Sequence, residues 1–141
     1  MGIEYFIIGM DIDDSATKEE VLEIFSPYWT EKEENYYLLD YGKEIYEGDE
    51  IHNECHFSIN FYEDKIAVKG VTIFKPCGDI DMEKAVFQLI HQFPMIVTYP
   101  VEPLLIITAN QKCAEIIKSK HHDLLKDLTT VLSFEEYYDL C

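Results

Sequence analysis

Residues 57–74 carry the pattern that most narrows the choice of fold. Phe57, Ile59 and Phe61 alternate with Ser58, Asn60 and Tyr62, Glu63-Asp64 interrupts the run, and Ile66, Val68, Val71, Ile73 and Phe74 follow. Side chains of an extended chain point alternately to opposite faces, so a period of two around a polar break predicts a β-hairpin with one buried face. A lone hairpin is marginal in water and needs more strands or a helix to cover it. Glu4 to Met10 offers a β-branched and aromatic first strand, and Tyr36 to Tyr41 another. Thr17 with Glu20 three residues on forms a capping box for a helix reaching about Ser26, with Val21, Leu22 and Phe25 inward and Pro27 as the stop. Asp79 or Asp81 can cap a second helix, whose stripe of Met82, Val86, Leu89, Ile90 and Phe93 ends at Pro94.

Ile96 to Val101 and Leu104 to Thr108 read as one or two strands broken by Pro100 and Pro103. From Cys113 through Ile116, Ile117, Leu124, Leu128, Val131 and Leu132 the apolar spacing is helical, with a bend or split over 118–123. Strands and helices mix without regular βα alternation, which predicts an α+β fold: a mostly antiparallel or mixed sheet carrying three to four helices. At 141 residues the expectation is one domain spanning 1–141.

Charge decides which partners are excluded. The chain holds 28 acidic residues against 11 basic ones, all lysine, for a net charge of −17. Binding nucleic acid directly requires cations to neutralise phosphates, and anionic membranes impose the same requirement, so both are excluded as partners. The longest apolar stretch, Met95 to Thr108, is short and is interrupted by Pro100, Glu102 and Pro103, so no bilayer span is expected. Cys55, Cys77, Cys113 and Cys141 form no CxxC pair, and the N-terminus has no basic start of a secretory signal. The expectation is a reducing cytoplasm.

Two clusters invite chemistry. Asp11-Ile12-Asp13-Asp14-Ser15, after the apolar run from Tyr5 to Met10, resembles the first motif of haloacid-dehalogenase-like phosphatases. The resemblance implies Asp11 as nucleophile, Asp13 as acid/base and magnesium at the phosphate. It covers about ten residues, and no adjacent acids follow a later strand, so a solvated acidic turn leading into a capped helix is the plainer reading. His52, Cys55 and His56 have some of the ligand types of a zinc site, with Cys77 downstream. Cys55 and His56 are neighbours in a strand and point to opposite faces, so ordinary surface histidines and a buried thiol are expected, with no metal. There is no GxSxG, P-loop or Gly-rich turn, so no enzymatic activity and no cofactor is expected.

The acids are unevenly spread: residues 1–64 hold 18 acids and 3 lysines, residues 65–141 hold 10 and 8. Residues 28–50 combine Glu31, Glu33, Glu34, Asp40, Glu44, Glu47, Asp49 and Glu50 with Tyr28, Trp29, Tyr36, Tyr37, Tyr41 and Tyr46. Exposed like charges repel one another and weaken a compact chain, but they speed encounter with a positive partner, while Tyr and Trp supply stiff contact area. The expected site is a protein-binding face in which Glu33, Glu34, Asp40, Glu44, Glu47, Asp49 and Glu50 meet Lys or Arg, with Trp29, Tyr36, Tyr37, Tyr41 and Tyr46 as anchors. Strand alternation allows only some of these rings to point outward.

In size, acidity and this acid-plus-tyrosine segment the chain resembles the immunity proteins of bacterial toxin systems, including those of contact-dependent growth inhibition. That resemblance implies a basic cognate toxin domain, often a nuclease, held inactive by an acidic face. A small magnesium-dependent phosphatase using Asp11 and Asp13, and a non-inhibitory adaptor that can also self-associate, are the alternatives.

Overall fold

The computed structural model describes residues 4–75 and 79–140, with the side chains of residues 43–46, 51, 52 and 75 outside the description. Eight strands join in a single sheet: β1 (Tyr5–Gly9), β2 (Trp29–Glu33), β3 (Tyr36–Tyr46), β4 (Asp49–Phe61), β5 (Val68–Lys75), β6 (Met95–Tyr99), β7 (Leu105–Thr108) and β8 (Leu128–Thr130). Their spatial order is β2-β3-β4-β5-β1-β6-β7-β8. Every pairing is antiparallel except β7 with β8. The helices are α1 (Lys18–Ile24), α2 (Ile80–Gln92), α3 (Gln111–Lys120) and α4 (Phe134–Leu140). The fold is therefore α+β.

Local signals place most elements. The Thr17 hydroxyl accepts from the Glu20 N–H at 3.2 Å while Glu20 accepts from the Thr17 N–H at 3.0 Å, which is the expected capping box. Asp79 caps α2, with its carboxylate accepting from the Asp81 N–H at 2.8 Å. The hairpin read from residues 57–74 is β4–β5, and its turn is fixed by Asp64, which accepts from the N–H groups of Ile66 and Ala67. β4 runs farther back than the alternation suggested and joins β3 through a two-residue turn. Glu47 and Gly48 lie there at φ 52° and 84°, the left-handed pair that matches strand twist in a tight hairpin. Gly70 serves β5 differently: a Cβ there would sit 2.5 Å from the Ile7 carbonyl oxygen, so only glycine lets β1 lie this close.

Alternation sorts the sheet into two faces. Tyr5, Ile7, Tyr37, Leu39, Phe57, Ile59, Val71, Ile73, Val97 and Ile107 pack with Val21, Phe25, Met82, Val86, Leu89 and Tyr137 in the main core, so α1, α2 and α4 all lie on one side. Ile96 and Ile106 point the other way, into a small second core with Cys113 and Ile117 of α3. That second layer covers only the β6–β7–β8 end.

The C-terminal third departs from the sequence reading. Leu128–Thr130 is a strand parallel to β7 in place of helix, because Leu128 pairs across from Ile106 and joins the second core while Thr129 pairs with Ile107. Leu132, placed on a helical stripe by its spacing, is 81% exposed. Cys55 is buried as expected, but it is disulfide-bonded and carries no free thiol, while Cys113 is free and buried. Among the described residues no helix is long and apolar enough to cross a membrane.

Candidate functional site

β3 divides the aromatic segment between two environments. Tyr37, Leu39 and Tyr41 turn toward the helices, and Tyr36, Leu38 and Asp40 turn away. Tyr37 is fully buried, with its ring stacked on Phe57 at 5.0 Å, and Phe57 in turn stacks on Phe25 at 4.8 Å. Tyr37 is thus a core residue, and its expected role as an outward anchor is corrected: a ring closed off by Phe57 and by Trp29, edge-on at 5.6 Å, has no face for a partner. Trp29 and Tyr41 are half-buried against the same core, Tyr41 beside Tyr28 at 4.5 Å. The Tyr41 hydroxyl is buried with no hydrogen-bond partner among the described residues, and burial pushes it well above the usual tyrosine range. Among the described side chains, Tyr36 is the one expected anchor that lies on the opposite side. Glu44 and Tyr46 lie in β3, paired with Ile51 and Asp49, but their side chains fall outside the description.

The carboxylates behave differently from the rings. Glu31, Glu33, Glu34, Asp40, Glu47, Asp49 and Glu50 are all exposed, and all lie on β2, β3, β4 and the two turns between them, at one edge of the sheet. Glu31 is partly engaged: Lys18 Nζ approaches it at 3.6 Å, and the Tyr37 hydroxyl donates to it at 3.4 Å. The Tyr37 hydroxyl and, behind it, Glu31 hold the Lys18 ammonium above its ordinary value. Among the described residues, 43–46 of β3 pair only with 49–52 of β4, so the end of this hairpin runs on as a two-stranded ribbon.

Across the opposite face, direct pairing aligns Thr98, Phe6, Thr72, Ser58 and Tyr36 over five strands. Next to Tyr36 stand His56 and Phe74, with ring centroids 5.7 and 5.8 Å away. The Tyr36 hydroxyl and His56 Nδ1 are 3.0 Å apart. Sequence reasoning missed Phe6, Ile8, Leu38, His56 and Phe74 as a group. The signal was present, since each sits out of phase with buried neighbours in its strand.

The other candidate clusters are satisfied locally. Asp11 accepts from the Asp13 N–H at 3.1 Å, and Lys112 Nζ lies 3.3 Å from Asp11 and also pairs with Asp14. The Asp13 N–H, followed by Lys112, holds the Asp11 carboxyl below its ordinary value. β1 has antiparallel neighbours on both sides, so Asp11 does not follow a strand of a βαβ unit. In the HxxCH cluster, the disulfide takes Cys55 out of reach of a metal, and His56 lies on the other face of the sheet. An open cleft of about 320 Å³ between α1 and α2 is lined by Glu19, Glu20, Glu23, Ile24, Gln88 and Gln92.

Comparison with protein-family models, curated proteins and solved structures returns no match.

Proposed function

We propose that this chain is an acidic inhibitor of a basic protein domain, acting as an immunity protein does when it neutralises a toxin. The observation that carries the reading is the edge of seven exposed carboxylates on β2–β4. Clustered charge of one sign raises encounter rates with an opposite partner far more than the same charge spread evenly. In this reading the acids steer a lysine- or arginine-rich domain onto the sheet, where the bound chain occludes the partner's active site. A nuclease fits as the target because its substrate is also a polyanion.

The working compartment in this reading is the cytoplasm. The redox state of Cys55, disulfide-bonded in the structure, is the observable that tests this compartment.

The test is co-expression with the polypeptide encoded beside this chain in its native genome. Growth arrest by that polypeptide alone, relieved by this chain through a stable complex, is the expected result. A complex that leaves the partner's activity intact would make the chain an adaptor. Relief that persists without any complex would overturn the inhibitor reading.

A further inference from the structure

We propose that the helix-free face of β1, β3, β4 and β5, centred on Tyr36, His56 and Phe74, is the surface on which a basic protein segment docks. The inference deepens the proposed function and rests on its premise of a basic partner. Of the rings of residues 28–50 it keeps Tyr36, and it places the contact on the side of the sheet opposite Tyr37 and Tyr41.

Three helices cover one face, and α3 covers the second face only at the β6–β7–β8 end. A solvated face of an antiparallel sheet is normally polar. This one has Ser58, Asn60, Thr72 and Thr98, but interleaves them with Phe6, Ile8, Tyr36, Leu38 and Phe74. Ile8 is 37% and Phe74 41% exposed, and their strands are adjacent through β1–β5 pairing. Exposed apolar groups gathered on one face mark an interaction surface far more often than single scattered ones do.

The rings are also rigidly held. Tyr36 is fixed by its bond to His56 and by its contact with Phe74, and all three stand on strands inside the sheet. Aromatic side chains held in this way lose little entropy on binding, and they accept an arginine guanidinium over their faces.

Charge identifies the occupant. Glu33 pairs directly with Tyr36, and Asp40 pairs with Glu54 one step along the same face from Leu38 and His56. An apolar centre bordered by carboxylates matches a segment that carries both Arg and aliphatic residues. A second copy of this chain is a poor match, because two molecules of charge −17 would bring these acidic borders together.

The test titrates the isotope-labelled full chain, at low ionic strength, with a short synthetic peptide of alternating Arg and Leu and with its Glu-Leu counterpart. Backbone amide shifts are the readout. The expected result is binding of the Arg peptide alone, with shifts centred on Phe6, Tyr36, Leu38, His56 and Phe74. Tyr36→Ala combined with Phe74→Ala should weaken binding about tenfold or more. If that double variant loses its dispersed spectrum, Phe74→Ser is read in its place, since its ring is already partly exposed. Shifts confined to residues 47–50, to β2 or to α1, with binding unchanged in the variant, would overturn this face and leave the basic-partner reading standing. Failure of the Arg peptide to bind at all would overturn both. Self-association abolished by Tyr36→Arg would overturn the choice of occupant.

Discussion

The Tyr137 hydroxyl donates a hydrogen bond to the Glu83 carboxylate at 3.2 Å, joining α4 to α2 inside the main core, and Tyr99 meets the same hydroxyl at 2.9 Å. Burial pushes the Glu83 carboxyl up, and the Tyr137 bond pulls it only partly back. A carboxyl whose folded value lies above its unfolded value near 4.5 binds its proton more tightly in the folded chain. It therefore favours folding at pH below the unfolded value, and that contribution is lost as pH climbs through the raised one. Glu83→Gln should raise Tm at neutral pH by roughly 2–4 °C, and the gain should vanish below about pH 4. Thermal melts across that range check it; a gain that persists in acid would mean that burial of charge is not its cause.

Tyr37 separates stability from binding. Tyr37→Ala removes the ring stacked on Phe57 and should cost about 3–5 kcal/mol in chemical denaturation. Tyr37→Phe keeps the ring, loses the bond to Glu31, and should leave partner affinity unchanged with a loss of about 1 kcal/mol or less. A large drop in affinity for the Phe variant would return Tyr37 to the binding surface.

Steering predicts a kinetic signature. Reversing Glu33, Glu47 and Glu50 to Lys should slow association with the basic partner about tenfold or more at low salt, change dissociation little, and flatten the salt dependence. Stopped-flow measurements over a range of ionic strength decide it. Association that ignores salt in the parent chain would rule out long-range attraction.

The cysteines report the compartment. In the unfolded, unreduced chain Cys113 should take up an alkylating label and Cys55 should not. Cys55 labelled directly in denatured lysate from the native host would show that the bond is not kept there.

How far these features could be read in advance depended on whether the signal was local. The capping box at Thr17 and Glu20, the Asp79 cap and the β4–β5 alternation are carried by residues a few positions apart, and all three stand in the structure. β8 was hidden because Leu128 and Val131 fit a helical stripe as well as a strand. Partners far away in sequence, Ile106 and Thr108, decide between the two. The orientation of the rings was hidden for a related reason. Composition marks residues 28–50 as acidic and aromatic, but the phase of β3 sends Tyr37 inward and Tyr36 outward. Phe74 and His56 join Tyr36 only once β4 is registered between β3 and β5.

The position of β1 has a consequence for biosynthesis. Of the strands of this sheet, the first to leave the ribosome finishes between β5 and β6, so both of its neighbours are made later. Until β6 has emerged, β1 can be held along one side at most. The nascent chain must therefore keep Tyr5 and Ile7 from wrong associations while the strands that flank β1 are still being translated.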